Sequence, residues 1–103
     1  MSEPITAEAF LDAVAVDDWR VVGGSACAFF RTGSLLTAAQ FVQAVAALAD
    51  DLGATPDLDL RRDGVTVCLP EVVAGQVELA RQVSALAREL DLPPDPSVLA
   101  GRG

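Results

Sequence analysis

Histidine, lysine, tyrosine and asparagine are absent from this chain of 103 residues. Without histidine, no side chain has an ordinary pKa near neutrality. Without lysine, all positive charge rests on 7 arginines, against 15 aspartates and glutamates, for a formal net charge of -8. A surface of that sign repels phosphate backbones and anionic headgroups, so neither a nucleic acid nor a membrane surface is expected as a partner. The acidity serves solubility. No uninterrupted apolar run approaches the roughly 20 residues that span a bilayer. The opening Met1-Ser2-Glu3-Pro4 lacks the basic start and apolar stretch of a secretory signal, so the expected location is the cytoplasm. The 2 cysteines, Cys27 and Cys68, are too few and too far apart for a metal motif and read as small, reduced core residues. There is no phosphate-binding loop, metal cluster or dinucleotide-binding turn, and no cofactor is expected.

Hydrophobic residues make up 51% of the chain, enough for one continuous core. The length fits one domain, expected over residues 1–92, with a flexible Pro- and Gly-rich tail over 93–103. The abundance of Ala, Arg, Asp, Gly and Val has the look of a GC-rich bacterial source.

The patterning predicts seven elements. Thr6 can cap a helix reaching Val14, with Phe10, Leu11 and Val14 as its apolar stripe. Trp19–Val22 and Ser25–Arg31 read as strands joined at Gly23-Gly24, a hairpin signal. Thr37 and Gln40 form a capping box for a helix running to Leu52, with Phe41, Val45, Leu48 and Leu52 on one face and Gly53 as its stop. Asp57–Arg62 and Val65–Leu69 alternate on either side of Asp63-Gly64, a two-residue turn signal. Pairing across that turn sets Leu60 opposite Val67, Leu58 opposite Leu69 and Arg62 opposite Val65. A last helix runs from Gln76 to Leu90, with Leu79, Val83, Leu86 and Leu90 on its apolar face. The expected class is α+β, in the order α-β-β-α-β-β-α, with a four-stranded antiparallel sheet covered by three helices.

That order, carried by particular residues, resembles the pterin-4a-carbinolamine dehydratases over about residues 6 to 90. The resemblance rests on Asp18-Trp19, on Phe29-Phe30-Arg31-Thr32-Gly33 and on Phe41-Val42-Gln43-Ala44-Val45. It rests further on Pro56 to Arg61 leading into Asp63-Gly64, and on Leu79-Ala80-Arg81. The family's signature is an acidic residue, three spacers, then His-His-Pro. Here the acidic place is Asp50, the His places hold Ala54 and Thr55, and only Pro56 matches. The family's following aromatic corresponds to Arg62, its third histidine to the stretch Pro70-Glu71-Val72, and its Gly-Gly-Leu-Thr loop is reduced to Ala74-Gly75-Gln76. The resemblance therefore implies the fold, a homodimer or homotetramer, and a chain unable to run the family's dehydration. That reaction needs a general acid at the departing hydroxyl and a base at a ring nitrogen, both working near neutrality.

Two functions remain in view. In the first, towards which the clustering of changes at the old site leans, the pocket is refitted for a specialised metabolite, in a dehydration, cyclisation or isomerisation. Asp50, Asp51, Arg62 and Glu71 would do acid–base work, and Trp19, Thr55, Pro56 and Val72 would line the substrate site. In the alternative, the domain is a non-catalytic assembly chaperone or oligomerisation module, and alanines such as Ala38, Ala39, Ala46 and Ala49 let helices of neighbouring subunits approach. Retained pterin binding without turnover is the least favoured. A small-molecule substrate or a protein is accordingly the expected partner. An enclosed pocket at Asp50, Thr55, Arg62 and Glu71 would favour the enzyme; a filled or flattened cleft with an apolar outer patch would favour the binding module.

Overall fold

The alternating segments pair into one antiparallel sheet of four strands in the order β1-β2-β4-β3. The computed structural model describes residues 18–22, 25–70 and 74–101. Its elements are β1 (Trp19–Val22), β2 (Ser25–Arg31), α1 (Leu35–Leu52), β3 (Asp57–Arg61), β4 (Gly64–Leu69), α2 (Ala74–Glu89) and a 3-10 segment, Pro96–Gly101. The α+β class and the four-stranded antiparallel sheet match expectation. The helix expected over Thr6–Val14 and the Gly23-Gly24 turn lie outside the described residues. The Cα radius of gyration, 12.5 Å, is that of a compact single domain.

Strand alternation sorts side chains between two faces. Trp19, Ala28, Phe30, Val65, Val67 and Leu69 join the core beneath the helices. Against them α1 places Ala38, Phe41, Val45 and Ala49, and α2 places Leu79, Ala80, Val83 and Ala87. Phe30 and Phe41 meet edge to face, ring centroids 5.5 Å apart, as aromatic quadrupoles favour. The helices are rolled relative to the expected stripes: Leu48 and Leu86 are half-buried, and Leu52 and Leu90 are exposed. Alanine lets a helix backbone lie close to a sheet, and α1 uses that with Ala38 and Ala49. Those two, expected as points of contact between subunits, are core; Ala39 and Ala46 are exposed. By length and composition α1 could cross a membrane, yet Phe41 and Val45 are wholly buried against the sheet.

Ser34, and not Thr37, caps α1. Its Oγ accepts a hydrogen bond from the Thr37 N–H at 3.1 Å, so the helix starts at Leu35. The far end closes as expected at Gly53, whose φ of 67° is the left-handed conformation glycine adopts without penalty. The Ala54 N–H reaches the Ala49 carbonyl at 2.9 Å and the Gly53 N–H the Asp50 carbonyl at 3.3 Å, a Schellman closure.

The β3–β4 register differs from expectation by two residues: Leu58 faces Val67, Leu60 faces Val65 and Arg61 faces Gly64. Arg62 and Asp63 therefore form the turn, and Gly64 opens β4. A Cβ at Gly64 would overlap the Phe30 carbonyl and the Phe29 ring. Glycine is needed there for close approach between strands, not for the turn.

The expected flexible tail is tied down over its described part. Phe30 and Pro94 form an isolated antiparallel bridge beside the short β1. The Arg31 N–H donates to the Pro93 carbonyl at 2.9 Å and the Asp95 N–H to the Phe29 carbonyl at 2.8 Å. Asp95 also accepts hydrogen bonds from Ser97 Oγ and from Arg31 Nε, the latter at 2.7 Å. Leu99, only 2% exposed, packs on Cys27 and Phe29 on the sheet face away from the helices.

The Ser97 hydroxyl, and after it Arg31, hold the Asp95 carboxyl below its ordinary value of 3.8. A depressed carboxylate contributes stability that is complete above the unfolded value and fades as pH falls through the lower, folded one. Residues 93–101 are thus expected to stay docked at neutral pH and to loosen only below about 3.8. Amide exchange at Asp95 checks this, and loosening that begins well above that pH would contradict it.

The cysteines are also corrected. The β2–β4 ladder sets Cys27 directly opposite Cys68, and they form a disulfide. Two residues 41 apart in sequence gave no hint of pairing until the strand order was known.

Candidate functional site

The signature-like stretch begins at the last turn of α1. Asp50 and Asp51 are exposed there, because the buried stripe of α1 passes through Ala49. After the Gly53 closure, Ala54 turns back against the core, Thr55 is exposed and Pro56 half-buried. These residues share one end of the sheet, where β3 begins and β4 finishes. Arg62 does not join them. At ~3.3 Å per residue, β3 carries the chain roughly 16 Å away before the turn that holds Arg62. Arg62 is exposed there, with its carbonyl 3.5 Å from the Thr32 hydroxyl. Among the described residues, the pairing of Asp50 or Asp51 with Arg62 is therefore not assembled. Glu71 and Val72 lie outside the described residues.

Trp19 does not line an open site either. It is 0% exposed, and its indole N–H donates to Ser84 Oγ at 2.9 Å. Burying a tryptophan leaves its N–H in need of an acceptor, and Ser84 on the inner face of α2 supplies one. Beside it stands a polar pair that the sequence reading passed over. Asp18 is 1% exposed, with Arg88 Nη1 3.2 Å from its Oδ2 and Arg88 Nη2 donating to its Oδ1 at 3.4 Å. Arg88 also donates to the Ser84 carbonyl at 3.2 Å. The cluster joins the start of β1 to the last turns of α2. Its only sequence signal was an aspartate placed next to the tryptophan.

A concavity among the described residues lies elsewhere, in a groove of about 470 Å³ between the helices. Ala44, Ala47 and Leu48 form its α1 wall; Gln82, Ala85, Leu86 and Glu89 form its α2 wall. Its lining is mostly apolar and offers a single carboxylate as a titratable group. Among the described residues, no group of three or more His, Cys, Asp or Glu is placed to hold a metal ion.

With this architecture in place, comparison with known proteins is informative at the level of fold. No family model matches the chain. No curated protein matches it significantly. Among solved structures, the crystal structure of a transcriptional coactivator/pterin dehydratase from Brucella melitensis matches with a TM-score of 0.72 at 22% identity, covering 82% of this chain and 99% of that one. The fold is that of a pterin dehydratase. At this identity the likeness places the helices over one face of a pterin-dehydratase sheet and leaves chemistry to be argued from the side chains.

Proposed function

We propose that this chain is a non-catalytic protein on the pterin-dehydratase fold, which works as a binding module by assembling with copies of itself into a dimer or tetramer. The observation that carries the reading is the apolar groove between α1 and α2. Small residues on both walls permit helices to approach closely, and Leu48 and Leu86 offer apolar area to bury. The far sheet face is partly covered by Leu99, which packs on Cys27 and Phe29. The absence of any imidazole, together with the separation of Arg62 from Asp50 and Asp51, supports the lack of dehydratase chemistry. The Brucella protein is named both a coactivator and a dehydratase. Coactivation is a role exercised by binding, which makes a binding-only descendant of the fold reasonable.

Light scattering on the wild-type chain is expected to give a dimer or tetramer at micromolar concentration. Ala85 is exposed, so Ala85→Asp should fold normally while placing an uncompensated charge in the seam. Monomeric Ala85→Asp with an unchanged helical circular dichroism signal is the expected outcome. A wild-type chain that stays monomeric, or an Ala85→Asp variant that assembles as the wild type does, would remove the reading. A small-molecule transformation at the Asp50–Pro56 end is the second reading, favoured by the grouping of Asp50, Asp51 and Thr55 at one sheet end.

A further inference from the structure

The Cys27–Cys68 disulfide lies outside the helix-covered core. Its Cα atoms are 4.2 Å apart, at directly opposed positions of β2 and β4, the close spacing of a non-hydrogen-bonded antiparallel pair. Their neighbours Ala28 and Val67 point to the helices, whereas Cys27 packs with Phe29 and Leu99 on the other face, and Cys68 joins them half-buried. The two residues are unequal in exposure: Cys27 is 8% exposed and Cys68 is half-buried. Their neighbours in register differ in charge. The strand registers set a row of Arg20, Cys27, Cys68 and Asp57 across this face. Arg20 is in register with Cys27, its Nη1 donating to the Trp19 carbonyl at 3.0 Å, and Asp57 is in register with Cys68. Exchange proceeds fastest when the attacker reaches an accessible sulfur and the better-stabilised thiolate leaves. Here the greater exposure of Cys68 selects the direction of cleavage.

We propose that Cys27–Cys68 is a thiol–disulfide exchange site for a dithiol, entered at the Cys68 sulfur and gated by residues 93–101. One thiolate of the dithiol attacks Cys68 Sγ. The protein S–S bond breaks, its electron pair leaves on Cys27, and Cys27 takes a proton. The second thiolate of the reagent then attacks the reagent's own sulfur in the mixed disulfide. That step closes the oxidised reagent and releases Cys68, which is protonated in turn. Two electrons pass from dithiol to protein. The gate is Leu99, held over the bond by the Arg31–Asp95 ion pair and by the hydrogen bonds from the Asp95 and Arg31 amides to Phe29 and Pro93. This site is independent of the helix groove and lies on the opposite side of the sheet.

The test treats the full native chain with dithiothreitol at neutral pH, quenches aliquots with iodoacetamide and weighs the products. A parallel arm uses 2-mercaptoethanol and maps the mixed disulfide by peptide mass. The expected results are reduction of the folded protein at a rate insensitive to low urea, and an adduct on Cys68. Asp95→Asn is expected to raise the rate about fivefold, the factor set by one exposed ion pair at the upper end of its range, and Leu99→Ala, which removes the buried gate side chain itself, by more. Two free thiols in protein purified in air would overturn the proposal. So would reduction that follows global unfolding, an adduct on Cys27, or unchanged rates in both variants.

Discussion

Offered a pterin carbinolamine, the purified protein is expected to leave water loss at its uncatalysed rate. Dehydration requires a proton for the departing hydroxyl and a base for the ring nitrogen, and each such group contributes ~10²- to 10⁴-fold. Ala54 has no proton to exchange, and Thr55 is a hydroxyl exposed to solvent. Asp50 and Asp51 stand in water at the end of α1, and Arg62 is roughly 16 Å away along β3. No acid–base pair therefore faces a common volume among these residues. Two groups lost together leave a deficit of about 10⁴-fold or more relative to a competent dehydratase. Following the loss of carbinolamine absorbance with and without protein decides the matter, and brisk turnover would overturn both the chemistry and the proposed role.

Gly64→Val is expected to be the most damaging single change in the sheet. The new Cβ would overlap the Phe30 carbonyl, which is backbone of the central strand β2, and the ring of Phe29. A flexible side chain could step aside, but a carbonyl bound into the ladder cannot do so without shifting β2 and β4 together. Overpacking costs up to about 3 kcal/mol where side chains yield. A backbone clash belongs at or above that limit, which for a domain of this size lowers the melting midpoint by at least about 10 °C. Calorimetry of the variant checks this. A midpoint within a few degrees of the wild type would show that the strands do not approach as closely as described.

The same glycine shows where the sequence could be read and where it could not. Asp63-Gly64 has the composition of a hairpin turn, and the hairpin is real. Its register slipped by two because the local preference of glycine for turns yielded to a nonlocal demand, the closeness of Phe30 on a strand more than thirty residues earlier. A slip of two keeps every side chain on its own face. Leu58 and Leu60 were consequently placed on the correct side despite the wrong partners. Helix periodicity was legible in the same limited sense. Phe41, Val45, Leu79 and Val83 are core, but both helices roll so that Ala49 and Ala87 also face the sheet. Hydrophobicity scales favour leucine, whereas close packing on a sheet selects alanine. The candidate site was the least legible part. Arg62 was grouped with Asp50 by position in a signature, and only the strand's length separates them. Trp19, expected to line the substrate site, is instead a buried anchor, and an indole at the start of a strand beside an aspartate is equally the mark of one. The disulfide depended on knowing that β2 lies next to β4, a relation between segments that no local pattern encodes.

The bridge of Pro94 to Phe30 has a consequence for growth of the sheet. The bonds from the Arg31 N–H to Pro93 and from the Asp95 N–H to Phe29 turn the chain's inward-pointing groups towards β2. The outward position at Pro94 has no N–H to donate. A strand arriving from another molecule finds no donor at that position, so Pro94 stops strand addition beside Phe30. Among the described residues the two margins of the sheet are β1 and β3, and β3 carries Asp57, Asp59 and Arg61, charges that discourage a strand from another molecule.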